Sequence, residues 1–220
     1  MKLTLFDLDH TLLNGDTDFE WSQFLIHIGA VEREQFEAKN LAFYESYKAG
    51  TLNIDEFLEF QLKPLSNYPR KLLDEWHNRF MIEQVAGMIT QPARELVNQH
   101  LMADDICVII TATNSYVSGP IAREFGVDHL IATEPEHRDG EFTGRVAGVP
   151  SFREGKITRL ESWLAERGWT IEDFADTTFY SDSLNDLPLL NRVKHPVAAN
   201  PDTTLRAHAE QNGWRIIELH

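Results

Sequence analysis

Short apolar runs alternate with helical patterns along most of the chain. Runs of strand length occur at five places, namely residues 3–6, 106–110, 177–180, 197–199 and 215–219. Between most of these runs, apolar residues recur at the three- and four-residue spacing of helices. Continuous apolar strands that alternate with helices are typical of a parallel sheet covered on both faces. The pattern therefore predicts an α/β fold with a Rossmann-like, doubly wound, mainly parallel sheet.

Residues 14–85 differ from the rest of the chain, because they show helical spacing throughout and no strand-like alternation. Pro64, Pro69 and the stretch 48–50 divide this segment into several helices. We interpret it as an all-helical insertion after the first strand. The predicted organisation is a core domain formed by residues 1–13 and 86–220, with a helical cap at 14–85.

The remaining chain offers several more local predictions. Helical spacing is found at 91–102, 116–125 and 156–166, and a short strand is expected at 129–132. Asp139-Gly140 lies between strand-like residues, which predicts a β-hairpin at 136–144. Cys107 lies inside an apolar run, so we expect a small buried side chain, and a single cysteine excludes an intrachain disulfide.

Composition and charge narrow the class of protein. With 220 residues, of which 42% are hydrophobic, the chain can bury a full core and is not a disordered protein. Its formal net charge of -15 argues against nucleic acid or an anionic membrane as a partner. No apolar run approaches the ~20 residues of a membrane span, and the stretch before Asp7 is too short for a signal peptide. These features predict a soluble, cytoplasmic protein.

Two carboxylates, Asp7 and Asp9, follow the first apolar strand directly. Carboxylates held close together and partly desolvated repel each other unless a cation or a shared proton intervenes. The pair therefore points to a divalent metal ion and an anionic substrate. A helix N-cap is the simpler alternative, but one cap requires only one Asp.

Three further polar segments fall at predicted strand ends or helix starts: Thr111 to Asn114, Gly155-Lys156, and Ser181 to Asp186. Each has an ordinary explanation as a satisfied hydroxyl, a solvated charge or a helix cap. In a parallel sheet, however, ligands bind at the carboxyl ends of the strands. Together the segments predict one cleft that contains Asp, Thr and Lys side chains.

The order of these residues resembles a known family. Asp7-x-Asp9-x-Thr11, then Thr111, Lys156 and Asp182-x-x-x-Asp186, are similar to the four motifs of the haloacid dehalogenase superfamily. The helical insertion is similar to the cap of its subfamily IB, the phosphoserine-phosphatase-like hydrolases. This resemblance covers nearly the whole chain. It implies a Mg²⁺-dependent phosphatase that hydrolyses the phosphomonoester of a small soluble metabolite.

The resemblance also implies roles for individual residues. Asp7 would be the nucleophile that forms an aspartyl-phosphate, and Asp9 the general acid and then the general base. In that scheme Asp9 carries a proton when the ester arrives, whereas Asp7 is ionised. Mg²⁺ would be bound by Asp7, the backbone carbonyl of Asp9, and Asp182. Thr111 and Lys156 would bind the phosphoryl oxygens.

Two positions have less direct roles. Asp186 would orient Lys156 or a metal-bound water without contacting the substrate itself. In the phosphoserine-cleaving relatives a carboxylate near the position of Asp16 holds the substrate amine. The alternative is that Asp16, Asp18 and Glu20 form a solvated acidic helix start.

The substrate remains open at the level of sequence. The phosphoserine enzymes have two glycines after the second-motif Ser, whereas Thr111 is followed by Ala112-Thr113, and the fourth motif here lacks glycine. Phosphoserine, histidinol phosphate and other small esters are all compatible. A phosphotransferase or phosphomutase with the same chemistry, and a non-catalytic relative that binds phosphate esters, are the alternatives. The sequence does not define the oligomeric state.

Overall fold

A seven-stranded sheet forms the centre of the computed structural model, which describes all residues 1–220. The strands are β1 (Lys2–Phe6), β2 (Ile106–Asn114), β3 (His129–Arg138), β4 (Glu141–Ala147), β5 (Asp176–Ser181), β6 (His195–Ala199) and β7 (Arg215–Ile217). Their spatial order is β4-β3-β2-β1-β5-β6-β7. Only the pair β3–β4 is antiparallel. The predicted α/β fold with a mainly parallel sheet is confirmed.

Ten α-helices surround and extend this sheet. They are α1 (Thr17–His27), α2 (Arg33–Lys48), α3 (Ile54–Leu62), α4 (Arg70–Phe80), α5 (Ala86–Met88), α6 (Gln91–Met102), α7 (Ser115–Glu124), α8 (Glu154–Ala165), α9 (Leu187–Leu190) and α10 (Thr203–Asn212). Short 3-10 helices occupy Lys63–Asn67, Ile171–Asp173 and Leu184–Asp186, and Met81–Val85 forms a π-helical turn. No helix has both the length and the apolar character needed to cross a membrane.

The central position of β1 explains its unbroken apolar run. Leu5 pairs with Val108 of β2 on one side and with Phe179 of β5 on the other. Because β1 is covered on both faces, its alternating side chains enter two separate hydrophobic clusters. Leu5 belongs to one cluster and Phe6 to the other. A strand buried in this way consists mainly of apolar residues.

Most local predictions agree with the structure. The helix at 91–102 is confirmed, and those at 116–125 and 156–166 begin and end within two residues of α7 and α8. The hairpin is confirmed as β3–β4, with Asp139 at φ 54° and Gly140 at φ 87° as a two-residue turn requires. The strand at 129–132 was predicted too short. It continues to Arg138 because its second half pairs with β4. Cys107 is buried, as expected.

Between β1 and α6 the chain forms only helices. The two ends of this segment lie side by side, since Leu13 and Ile89 form an antiparallel bridge and the Asn14 N–H donates to the Met88 carbonyl at 2.9 Å. The helices run from Thr17 to Met88, and the cap limits of 14–85 stay a prediction. The segment is not a separate core, because Trp21, Phe24 and Phe80 belong to the same hydrophobic cluster as Phe6 of β1.

Helix α2 is packed much more lightly than its neighbours. Of its 16 residues only Asn40 is buried, and Leu41 is 54% exposed. The shorter α1 buries seven of its 11 residues, including Trp21 and Phe24. Since few buried contacts mean a low free energy of local opening, α2 is the part of the helical segment that can move most easily.

Gly155, at the start of α8, is enclosed by the preceding loop. A Cβ atom at this position would lie 2.0 Å from the Pro150 carbonyl oxygen. We expect Gly155→Ala to lower the free energy of unfolding by about 1–3 kcal/mol, because the loop must shift to admit the methyl group. Urea unfolding measures this change.

The matched control is Gly87→Ala in α5, where a Cβ would meet nothing within 4 Å. Alanine there is expected to be neutral or to stabilise by up to about 1 kcal/mol, since it favours the helix. Equal unfolding free energies for the two variants would contradict the close approach at Gly155.

Candidate active site

The predicted chemical residues meet at one edge of the sheet. Asp7 follows β1, Thr111 lies in β2, Asp182 follows β5, and Lys156 is in the first turn of α8. A cavity separates this edge from the helices above it. The polar lining residues are Asp7, Asp9, Asp16, Asp18, Asn40, Gln61, Thr111, Thr113, Lys156, Asn185 and Asp186.

Lys156 forms the centre of a buried ionic cluster. Its Nζ lies 2.6 Å from Asp7 Oδ1 and 2.7 Å from Asp186 Oδ2, and all three side chains are at most 7% exposed. Burial lowers the pKa of Lys156, but the Asp186 and Asp7 carboxylates outweigh burial and raise it, so the amine stays charged. Ser181 donates to Asp186 Oδ2 at 2.8 Å and holds that carboxylate in place.

A second contact joins Asp7 to Asp182. The Thr11 hydroxyl lies 3.0 Å from Asp182 Oδ1 and 3.3 Å from Asp7 Oδ2, and it accepts the Asp182 N–H at 3.0 Å. The Asn200 amide donates to the carbonyls of His10 and Thr11 at 3.1 and 2.9 Å, which fixes this loop. Asp182 does not cap the following helical turn. Ser183 does so, by accepting the Asn185 N–H.

The charge balance at this point is unfavourable for the protein alone. Burial raises the pKa of Asp182 well above its usual value, and the carboxylates of Asp7 and Asp186 add to this effect. Burial likewise raises the pKa of Asp7, while the Lys156 ammonium opposes the shift. Three buried carboxylates thus face one buried ammonium, and a further cation near Asp7 and Asp182 would restore neutrality.

These residues fit a hard divalent cation. Asp7 and Asp182 offer carboxylate oxygens, the ligand type that Mg²⁺ prefers. No three His, Cys, Asp or Glu side chains form a complete ligand set. The predicted set contains only two carboxylates and the Asp9 backbone carbonyl, so water and substrate oxygens would complete it. A site of this kind matches the reluctance of Mg²⁺ to lose all its water.

Asp9 is fixed by donors from the insertion and from β2. Its Oδ1 accepts the Thr17 N–H at 2.6 Å and the Thr17 hydroxyl at 2.5 Å. Its Oδ2 lies 2.8 Å from the Thr113 hydroxyl and 3.5 Å from that of Thr111. Asp9 therefore has a defined orientation at the edge of the cavity. Thr111 is close by, although its hydroxyl also accepts the Thr113 N–H at 3.1 Å.

Thr113 also connects Asp9 to the buried Asp18. Its hydroxyl lies 3.1 Å from Asp18 Oδ2, yet a hydroxyl has only one proton to donate. Burial raises the pKa of Asp18 well above its usual value, and Asp16 and Asp9 contribute to the shift. A protonated Asp18 can donate to the Thr113 hydroxyl, so both carboxyl groups can contact this one residue.

The acidic start of α1 is not simply a solvated surface. Asp18 is buried, and Asp16 both caps α1 by accepting the Phe19 N–H at 2.8 Å and lines the cavity. Burial raises the pKa of Asp16 to about 7, and the nearby Asp9 carboxylate adds to the effect. The interpretation as a solvated helix start is therefore wrong for Asp18. For Asp16, both the cap and a position facing the cavity are observed.

The roof of the cavity is aromatic. Phe43, Tyr44 and Tyr47 come from α2, Phe19 from α1 and Phe57 from α3. Phe19 and Tyr44 lie 5.1 Å apart between ring centroids. His10 is half-buried, with its ring 6.2 Å from that of Tyr44. This roof suits a flat or apolar group attached to the phosphate.

Sequence reasoning missed the supporting hydroxyls. The sequence pattern indicates no role for Thr17, Thr113 or Ser181, and it marks Thr11 only as part of a motif. A usable signal existed for Thr113, because it lies two residues from Thr111 on the same face of β2. Nothing local indicated that Thr17 would contact Asp9.

Comparisons with known proteins show what the chain is similar to. A model of the haloacid dehalogenase-like hydrolases matches residues 4–191. A histidinol-phosphatase of Neisseria meningitidis is 46% identical over 219 residues, which cover 99% of both chains. A crystal structure of a Bordetella pertussis protein of unknown function has a TM-score of 0.95 and 47% identity, covering 100% of this chain and 99% of that one. A substrate-bound phosphoserine phosphatase has the same fold, with a TM-score of 0.71, 20% identity, and coverage of 100% and 93%.

Proposed function

Because the chain belongs to the haloacid dehalogenase-like hydrolases, we propose that it is a Mg²⁺-dependent histidinol-phosphate phosphatase. Phosphatase activity on a small phosphorylated metabolite follows from the family and from its relatives. The substrate, the metal and an aspartyl-phosphate intermediate are proposed in addition. One observation carries the choice of substrate, namely the charge of the cavity.

The cavity has a single cationic side chain. Its lining contains five carboxylates but, apart from Lys156, no Lys, Arg or His. Lys156 already faces Asp7 and Asp186, at the phosphate end. A substrate whose remainder carries a carboxylate, such as phosphoserine, would find no cation for it. Histidinol phosphate carries an ammonium and an imidazole instead, which suit Asp16 and the aromatic roof.

The chemistry would proceed in two steps. A carboxylate oxygen of Asp7 attacks phosphorus, an O–P bond forms, and the bond from phosphorus to the ester oxygen breaks. Asp9 gives its proton to the leaving alkoxide, so the alcohol departs neutral. Asp9, now a carboxylate, takes a proton from water, whose oxygen attacks phosphorus and releases orthophosphate and free Asp7.

Other residues support these steps without exchanging protons. Lys156 neutralises Asp7 and the phosphoryl oxygens, and Thr111 would donate to one of those oxygens. Asp186 holds Lys156 in position. When bound by Asp7, Asp182 and the Asp9 carbonyl, Mg²⁺ would supply positive charge to the phosphoryl group. The helices above the cavity would exclude bulk water.

Substrate preference provides the test. We expect kcat/KM for histidinol phosphate to exceed that for phosphoserine by roughly 100-fold, because one like-charge pair at ~4 Å contributes about 4 kcal/mol at an effective dielectric of ~20 and solvent reduces it. Measuring free phosphate release with Mg²⁺, and after its removal by a chelator, checks both the substrate and the metal. Equal rates for the two esters would contradict the substrate assignment.

Asp16 should contribute to this preference. Asp16→Asn is expected to lower kcat/KM for histidinol phosphate about tenfold. The ratio of kcat/KM for histidinol phosphate to that for phosphoserine should also fall, since the substitution removes a charge that repels the phosphoserine carboxylate. Glu20→Gln is the matched control, because Glu20 lies on the same helix but outside the cavity lining. An identical effect of both substitutions would mean that net charge, and not contact with substrate, decides the ratio.

A further inference from the structure

Arg153 has a backbone conformation that arginine rarely adopts. Its φ of 51° and ψ of -122° match the first central residue of a type II′ turn, a position that glycine usually occupies. The turn is closed by the Gly155 N–H, which donates to the Phe152 carbonyl at 2.9 Å. A non-glycine residue at such φ and ψ values lowers stability and persists where its side chain is needed.

The side chain of Arg153 bridges three parts of the molecule. Its Nη2 donates to the Gly50 carbonyl at 2.5 Å and to Asn185 Oδ1 at 3.1 Å, and its Nε donates to the same Oδ1 at 3.2 Å. The Asn185 amide in turn donates to the Tyr47 carbonyl at 3.3 Å. Gly50 and Tyr47 belong to the C-terminal end of α2 and the turn that follows it.

These contacts connect the lightest-packed helix to the segments that carry Lys156 and Asp186. Arg153 precedes Lys156 by three residues, and Asn185 precedes Asp186 directly. Helix α2 carries Tyr44 and Tyr47 over the cavity but buries only Asn40. The bridge formed by Arg153 and Asn185 therefore fixes the end of α2 that its own packing leaves free.

Charge alone does not explain Arg153. The chain has 35 acidic residues and 20 basic ones, yet Arg153 forms no salt bridge. Its polar partners are carbonyl and amide oxygens. The guanidinium also lies 4.9 Å from the centre of the Phe152 ring, which itself lines the cavity. A planar, forked donor suits two acceptors at once, which lysine does not.

We propose that Arg153 is a positioning residue that fastens the C-terminal end of α2 over the cavity and so couples closure of the helical insertion to the start of α8, which carries Lys156, and to the 3-10 turn that carries Asp186. The expected effect on turnover rests on the proposed phosphatase function. The contact of Arg153 with the C-terminal end of α2 does not depend on that function. Arg153 does not line the cavity and exchanges no proton with the substrate.

The experiment compares three variants. Arg153→Gly removes both the bridge and the unfavourable backbone conformation, whereas Arg153→Gln removes the guanidinium and keeps the conformation. Arg138→Gln is the control, since Arg138 is exposed at the end of β3 and its side chain forms no hydrogen bond. Hydrogen exchange of residues 44–52 in the free protein, Tm, and kcat/KM with its pH dependence are measured for each.

We expect exchange at 44–52 to rise about tenfold in Arg153→Gly, the scale of one charge-assisted hydrogen bond, while exchange in α1 is unchanged. The Tm should rise by roughly 2–4 °C, whereas kcat/KM falls about tenfold and the shape of its pH profile stays the same. Arg153→Gln should show the same exchange and activity changes without the gain in Tm. The control should match the wild type.

Two results would overturn the proposal. One is exchange at 44–52 within twofold of the wild type in Arg153→Gly. The other is a fall in Tm with faster exchange along the whole chain, which would mean a general structural role. If the wild type hydrolyses no monoester, the proposed function fails, and the exchange data still decide whether Arg153 fastens α2.

Discussion

Replacement of Asp7 by Asn is expected to lower kcat by at least about 10³-fold. The amide has nearly the same shape as the carboxylate but is a very poor nucleophile toward phosphorus, and residues that form a covalent intermediate have effects of this size or larger. Steady-state release of phosphate from histidinol phosphate measures the change. Near-normal turnover in this variant would show that Asp7 is not the nucleophile.

The same variant should remain folded. Asp7, Asp182 and Asp186 are three buried carboxylates near one buried ammonium, so loss of one negative charge relieves repulsion. In the absence of divalent cations we expect a Tm equal to or above that of the wild type. Asp104→Asn is a suitable control, because Asp104 is exposed at φ 56°, a conformation that Asn tolerates. It should leave kcat unchanged.

Replacement of Lys156 by Ala should affect stability and activity together. The substitution leaves Asp7 and Asp186 buried without their ammonium, and removal of one partner from a buried ion pair typically lowers the free energy of unfolding by about 3–5 kcal/mol. Turnover should fall by orders of magnitude, and affinity for orthophosphate in the presence of Mg²⁺ should weaken. Urea unfolding and calorimetric titration with orthophosphate measure the two effects.

A double substitution separates stability from chemistry. In Lys156→Ala with Asp186→Asn one of the two unpaired carboxylates becomes neutral, so part of the lost stability should return. Turnover should not return, because the phosphoryl group still lacks its ammonium. Recovery of activity along with stability would mean that Lys156 acts only through the fold. Undiminished affinity for orthophosphate in the single variant would contradict its role in binding.

The sequence was sufficient to predict the sheet and the main site residues, because both depend on local signals. An unbroken apolar strand must be buried, and a parallel sheet brings strand ends to one edge. Asp7, Lys156 and Asp186 therefore could be placed together before their contacts were known. Their roles in catalysis stay predictions.

What the sequence could not provide depends on contacts between distant residues. Asp18 looked like a helix-start acid because its partner Thr113 is 95 positions away. The φ of Arg153 is set by the loop around it, and no residue pattern in the sequence predicts an arginine with a positive φ. The light packing of α2 was also missed, since Phe36, Leu41 and Tyr44 have helical spacing but lie only partly buried or exposed.

The slight burial of α2 has a consequence for how the protein adapts. Its inward-facing aromatics contact the cavity, yet the helix contributes one buried residue to the fold. Substitutions at Phe43, Tyr44 or Tyr47 should therefore alter the preferred ester at little expense in folding stability. Random libraries confined to this helix are a direct route to new phosphatase selectivities, and natural drift in the lineage can follow the same path.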